Sequence, residues 1–270
     1  MGMIRVNARR KILCPICNHG DWCGLSGDRS IAICMRIESD KPTQNGGWLH
    51  RLSDPIAFQP KPVPRPAIQE RAPDLMSLWN RWQRETDPYY LDGFAMTLNV
   101  DTEALRSIGC AWTGRAWAFP MKDASGKMIG IRLRAESGSK WAVTGSHQGL
   151  FFSDIEDAKT VFLVEGPTDL AAALTLGLKA FARPACLGQE QMLLDYVRRV
   201  RANRLVIVSD NDLPGLRGAE KLQGMLPIMN CVYVPPAKDL REFVSLGGTK
   251  DLIESSIRDL VWTRPRAIAA

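Results

Sequence analysis

Two groups of residues in this 270-residue sequence have the types and spacing to do chemistry. The first is four cysteines, Cys14, Cys17, Cys23 and Cys34, packed into 21 residues. In Cys14-Pro-Ile-Cys17 the two-residue spacing lets both thiolates and nearby backbone amides wrap one metal ion. Cys34 follows a hairpin's length later, with Cys23 between. Four thiolates form a soft tetrahedral set that suits zinc better than a harder metal. No cysteine follows Cys34 at two-residue spacing, so His50 and His19 stand as alternatives to Cys23 for the fourth position. The other three cysteines, Cys110, Cys186 and Cys231, are scattered. An odd total argues against a disulfide framework, and these three read as small buried hydrophobes.

The second group is acidic. Glu165 directly follows the apolar run Val161-Phe-Leu-Val164, in the string VEGPTD. Asp210 and Asp212 follow Leu205-Val-Ile-Val208, in SDNDLPG. If both runs are strands of a parallel sheet, all three carboxylates stand at the carboxyl ends of strands, the edge where such sheets bind ligands. Carboxylates gathered there repel one another unless a cation neutralises them. The set therefore points to one or two hard divalent ions, Mg²⁺ or Mn²⁺. Gly166 permits a tight turn into a helix whose first turn holds Asp169, where the helix dipole favours a negative charge. Gly215 lets the chain turn after Asp212.

The elements that must hold these groups are legible in the pattern around them. Residues 53–73 carry six prolines in 21 positions. Fixed φ and missing donors exclude helix and interior strand there, leaving a semi-rigid extended linker. The linker separates a module at 1–52, expected to be a zinc ribbon of β-strands, from the rest. Beyond it, helical spacing marks Asp74 to Arg84 and Thr102 to Ile108, and strand patterns mark Ala116 to Phe119 and Met128 to Leu133. These make residues 74–160 a small mixed α+β subdomain. From residue 161 to 270, four-residue apolar strands (161–164, 205–208, 231–234) alternate with helices at about 168–176, 189–201, 215–226 and 250–260. That alternation predicts an α/β domain with a parallel sheet flanked by helices. Trp112, Trp117 and Trp141 read as core rather than as stacking platforms.

Composition bounds the class. With 45% apolar and 24% charged residues, disorder is excluded as the main theme. No run reaches the ~18 residues of a spanning helix, and the basic N-terminus lacks a signal-length apolar stretch, so a cytoplasmic protein without a membrane partner is expected. The formal charge is +6, of which +4 falls in residues 1–52. A basic module carrying Trp22, Arg29, Arg36, Trp48 and Arg51 is a natural partner for single-stranded nucleic acid, through stacking and phosphate contacts.

The acidic constellation resembles the Toprim family, the metal-binding domain shared by primases, topoisomerases and some nucleases. There a strand-end Glu and a D-x-D pair bind Mg²⁺, and these match Glu165, Asp210 and Asp212. The whole order of modules is similar to that of DnaG-type bacterial primases and of the primase half of phage primase–helicases. Three further strings carry the resemblance: Ser139-Lys-Trp-Ala-Val-Thr-Gly-Ser-His147, the upstream pair Arg132 and Arg134, and Lys238-Asp-Leu-Arg-Glu242. The resemblance implies a DNA primase that makes short oligonucleotides on single-stranded DNA from nucleoside triphosphates. Glu165, Asp210 and Asp212 would be catalytic. Arg132, Arg134, Lys140, His147, Asp169, Lys238 and Asp239 would serve the nucleotide, the nucleic acid or a metal. It also implies a zinc ribbon that contacts template and, since the sequence carries no helicase segment, a separate helicase partner. The alternatives are a Toprim nuclease using the same carboxylates and a non-catalytic module that binds single-stranded nucleic acid.

Overall fold

The structure is a computed structural model and describes residues 3–6, 12–43, 46–52, 73–153, 155, 158–185 and 188–264. The proline-rich segment, apart from Pro73, and Cys186 lie outside the described residues. The chain divides into two compact units, Met1–Gln69 and Glu70–Ala270.

The first unit is a four-stranded antiparallel sheet in the order β1-β2-β3-β4, with β1 Met3–Arg5, β2 Gly24–Ser26, β3 Ile31–Cys34 and β4 Trp48–Arg51. Its core is small. Val6, Leu25 and Ala32 are buried together with Cys14, Cys23 and Cys34, so the cysteines make up half of the buried cluster. That little apolar area is marginal for independent folding, and a metal staple is the usual remedy.

The second unit opens with three helices, α1 Leu75–Glu85, α2 Pro88–Leu98 and α3 Thr102–Ser107. Asp74 caps α1 by accepting from the backbone N–H groups of Met76 and Ser77. Helix α2 was not evident in the sequence, where Gly93 and two tyrosines blur its apolar face. Its ends are nonetheless well signalled, by the Asp87 cap with Pro88 in the first turn and by left-handed Asn99 at the close. An antiparallel sheet follows in the order β5-β6-β7-β8: β5 Ala111–Trp112, β6 Trp117–Lys122, β7 Met128–Arg134 and β8 Lys140–Ala142. Side chains alternate across it. Ala116, Ala118, Ile131 and Leu133 pack on one face against Leu75, Trp79 and Trp82 of α1. Trp117, Phe119 and Met121 face the other way, into the main core. Trp117 is buried and stacks on Phe94 with centroids 4.3 Å apart, and Trp112 leans on Trp117 at 4.9 Å. These rings are core, as expected.

The remaining elements are β9 Phe151–Phe152, β10 Thr160–Glu165, α4 Gly166–Thr175, β11 Ala180–Arg183, α5 Glu190–Val200, β12 Arg204–Val208, α6 Leu213–Gln223, β13 Met229–Tyr233, α7 Leu240–Ser245 and α8 Lys250–Arg258. The second sheet has the order β13-β12-β10-β11-β9. Its first four strands are parallel, and β9 closes the edge antiparallel to β11. The predicted parallel sheet with flanking helices is present. Strand β11 and helix α7 are additions to the sequence reading, both too short to show a period. Along β10, Val161 and Leu163 join the α5–α6 side while Phe162 and Val164 join the α4 side. The same split holds for β12, with Leu205 and Ile207 against Val206 and Val208. The α4 side shares one continuous core with α2, α3 and the inner face of the antiparallel sheet. Residues 74–160 and 161–264 are therefore welded through common burial, and a bridge between Lys122 and Leu150 joins the sheets at their margin. Among the described residues no helix is long and apolar enough to cross a membrane.

Candidate zinc centre and candidate active site

In the N-terminal unit the sulfurs of Cys14, Cys17, Cys23 and Cys34 all lie within 4.8 Å of one another. The Cys17–Cys23 pair is 3.7 Å apart. Tetrahedral zinc with Zn–S bonds near 2.3 Å requires sulfur pairs about 3.8 Å apart, so the donor set and its spacing fit this ion. The Met35 N–H points at Cys23 Sγ (3.4 Å), and the N–H groups of Arg36 and Ile37 point at Cys34 Sγ (3.5 and 3.3 Å). Such donors spread thiolate charge and orient the ligands. Desolvation works against ionising Cys17, but the His19 backbone and the three neighbouring thiols hold it down at about 6. Burial raises Cys23 and Cys34. Arg36 pairs with Asp21 at 2.8 Å and brings its guanidinium to 3.9 Å from the sulfurs of Cys17 and Cys23. Cys23 rather than His50 completes the set. His50 pairs with Ala32 across β3–β4, and its Nε2 lies 2.9 Å from the Ile37 carbonyl. His19 is used in the turn itself, its Nδ1 being 2.6 Å from the Cys17 carbonyl.

In the second unit acidic residues gather at the carboxyl ends of β10 and β12, with Arg183 ending β11 between them and the sheet edge. Glu165 is the last residue of β10, beside Arg183 at the end of β11, its register partner. Arg183 Nη2 meets Glu165 Oε1 at 2.8 Å, with the two side chains only 5% and 13% exposed. Desolvation nonetheless keeps the Glu165 carboxyl above its ordinary value. Arg183 was not singled out in the sequence. The signal was available, since Ala180-Phe-Ala-Arg183 is an apolar strand ending in a charge, as Val161 to Glu165 is.

Asp210 and Asp212 follow β12. Asp212 caps α6 through its Oδ1, which accepts from the Gly215 N–H at 2.8 Å. A Cβ on residue 215 would sit 2.6 Å from the Asp210 carbonyl oxygen, so glycine is needed for this close approach. Gly166, at φ +77°, makes the corresponding turn after Glu165. Desolvation, reinforced by Glu165, Asp169, Asp239 and Asp212, pushes Asp210 up to about 8. Asp169, in the first turn of α4, is 8% exposed and accepts from the Arg241 N–H at 3.0 Å. Burial, with Asp239 nearby, pushes it up to about 7. Asp239 caps α7 by accepting from the Glu242 N–H at 2.7 Å, while Glu242 Oε2 accepts from the Lys238 N–H at 2.6 Å. The Lys238 carbonyl accepts from the Asn211 N–H at 2.8 Å, tying this loop to the one between Asp210 and Asp212. Lys238 itself is exposed.

Cations face this cluster from the antiparallel sheet. Arg134 and Lys140 are register partners across β7–β8, and Arg132 is two residues before Arg134 on the same strand face. Desolvation and then Arg241 lower Arg134, and Asp169 and Asp239 oppose that shift. Desolvation and then Arg134 lower Lys140, with Asp169 and Asp210 opposing. Mutual influence of this kind places carboxylates and cations in one field. His147 is exposed in the loop after β8 and is anchored by its backbone N–H to the Ile129 carbonyl at 2.9 Å.

All-oxygen donors with elevated proton affinity suit a hard divalent cation. Among the described residues, however, no three carboxylates bring an oxygen each to the mutual spacing that the four sulfurs show. Glu165 leans to Arg183 and Asp212 to its cap, contacts that offset repulsion among the carboxylates.

No sequence-family model and no curated protein matches this chain. Solved structures do. It is similar to the E. coli primase catalytic core at 15% identity and a TM-score of 0.54, covering 69% of this chain and 79% of that one. It is similar to the Aquifex aeolicus primase zinc-binding and RNA polymerase domains at 17% identity and a TM-score of 0.56, covering 69% and 60%. A DnaG primase catalytic domain bound to single-stranded DNA matches at 14% identity and a TM-score of 0.53, covering 69% and 77%. At such identities the likeness is one of fold, and the fold is that of a primase catalytic core.

Proposed function

We propose that this protein is a DNA primase, joining nucleoside triphosphates into short primers on single-stranded DNA by metal-dependent nucleotidyl transfer. One observation carries the reading. Within a primase-core fold, five carboxylates share one sheet edge, faced by Arg134 and Lys140, and burial reinforced by their repulsion raises Asp210 to about 8. A divalent cation held beside Asp210 would favour its ionised carboxylate. Mg²⁺ or Mn²⁺ held by Glu165, Asp210 and Asp212 would polarise the attacking 3′-hydroxyl and shield triphosphate charge.

The chain's own residues do the rest by positioning and charge. Arg132, Arg134 and Lys140 hold phosphates from the neighbouring sheet. Lys238 and His147, both exposed, reach the nucleotide or template from their loops. Asp169 and Asp239 sit deeper and brace α4 against α7, fixing the loop that carries Lys238. Arg183 holds the Glu165 carboxylate in place. The zinc unit, with Trp22 and Arg29 exposed, contacts template.

The test is incubation with single-stranded DNA, Mg²⁺ or Mn²⁺ and labelled nucleotides, beside an Asp210→Ala variant. Short oligonucleotides made by the wild type alone are expected. Template degradation without synthesis overturns the proposal in favour of a nuclease. Binding with neither reaction leaves a non-catalytic module.

A further inference from the structure

The opposite end of the parallel sheet carries an open cavity of ≈ 470 Å³, lined where β10, β11 and β12 begin. It lies at Thr160, while the carboxylate edge begins at Glu165. Five residues of strand at ~3.3 Å each put the two about 16 Å apart, so the cavity is not part of the candidate active site. Lys179, Arg204, Lys250 and Arg258 line it against a single carboxylate, Glu254, which is 3.8 Å from Lys250 Nζ. Phe162 and Leu178 supply an apolar floor. One wall is the indole of Trp262, with the Arg204 guanidinium 5.4 Å above its centroid.

This wall is firmly set. Trp262 Nε1 donates to the Ile257 carbonyl at 3.1 Å. The next residue, Thr263, pairs with Asn230 of β13 through bonds of 3.0 and 2.8 Å. The last described turns of the chain are thus pinned to the sheet, and the indole is held beside the cations. The cavity volume falls in the range of small-ligand sites. Cations with fork geometry select phosphate, and a guanidinium–indole stack selects a planar ring. An apolar floor beside them admits the non-phosphate part of the same ligand.

We propose that this cavity is a second nucleotide-binding site, taking the phosphate and base of a free nucleotide or of one unit in a single strand. The site is independent of the reaction assigned to the carboxylate edge. The test uses the 270-residue protein without added divalent cation and two probes. One is an ADP derivative whose fluorophore accepts energy from tryptophan; the other is a labelled single-stranded oligothymidylate of about 12 nucleotides. The comparison is between wild type, a Lys179→Glu/Arg258→Glu double variant and Trp262→Phe. Both charge reversals are at exposed positions, and circular dichroism verifies their folding. The double variant is expected to weaken at least one probe on the order of tenfold, and Trp262→Phe to remove part of the energy transfer to bound ADP derivative. Loss for the ADP derivative alone identifies a free-nucleotide site, and loss for the oligonucleotide identifies a strand site. Unchanged affinity for both probes in the folded double variant overturns the proposal. The same titration in Asp210→Asn, which should retain this binding, separates failure here from failure of the primase reading.

Discussion

At the scale of single residues, the buried pair Arg183–Glu165 is the most consequential feature that spacing alone did not reveal. Removing one partner of such a pair leaves an uncompensated charge, at a cost of about 3–5 kcal/mol. Arg183→Met should therefore be strongly destabilised in urea unfolding, and Glu165→Gln introduced beside it should restore much of the loss. Asp210 and Asp169 make a second prediction, about pH. Both have folded pKa values, about 8 and about 7, far above their unfolded values near 4. The folded state then binds more protons between about pH 4 and 8, so these groups favour folding below that window and their contribution is lost as pH rises through it. Metal-free protein should lose thermal stability from pH 5 to 8. Asp210→Asn should flatten that loss, and added Mg²⁺ should reverse it at pH 8, as thermal unfolding at fixed ionic strength would reveal.

At the scale of elements, the candidate site is a matter of where strands end. Each candidate residue on the parallel sheet lies at a strand's last residue or within the turn and helix that follow, and capping fixes those turns. Asp212 and Asp239 each spend one carboxylate oxygen on a helix N-terminus, which orients the other. Gly215 is a tight point of these turns, since any Cβ there meets the Asp210 carbonyl. Gly215→Ala should displace the loop and reduce primer synthesis at least about tenfold, as expected when reacting groups shift by a fraction of an ångström to an ångström. Far-UV circular dichroism and zinc content should remain those of the wild type. A variant that keeps full synthesis would show the loop to be more compliant than its packing indicates.

At the scale of the whole molecule, the chain is two units with different reasons to fold. The second has a large continuous core running from α2 through both sheets to α8. The first has a handful of buried residues, half of them cysteines. A zinc-selective chelator, or Cys34→Ser, should therefore melt Met1–Gln69 and leave the transition of Glu70–Ala270 nearly unchanged in calorimetry. Charge follows the same division. With four thiolates on one Zn²⁺ the site carries −2, so the surplus of +4 in residues 1–52 falls to about +2. The cations on the second unit then matter more than the total of +6 indicates.

Much of this was legible in the amino-acid order, for a physical reason: strand-end placement and ligand spacing are local properties. An apolar four-residue run followed by a charge puts that charge at a sheet edge, and two cysteines two residues apart can reach one metal ion. The sequence thus placed Glu165, Asp210 and Asp212 at strand ends, grouped the four thiols, and showed the alternation that makes the sheet parallel. Contacts between segments distant in sequence needed the fold. On spacing Cys23 is the simplest fourth ligand with His50 as its alternative, and only the β3–β4 register carries His50 to the Ile37 carbonyl instead. Arg183 pairs with Glu165 because β11 lies beside β10. Asp169 is buried because α7 packs over α4. The cations around Trp262 come from three separate stretches of chain: Lys179 and Arg204 meet because parallel strands begin at one edge just as they end at the other, and α8 brings Lys250 and Arg258 to that edge.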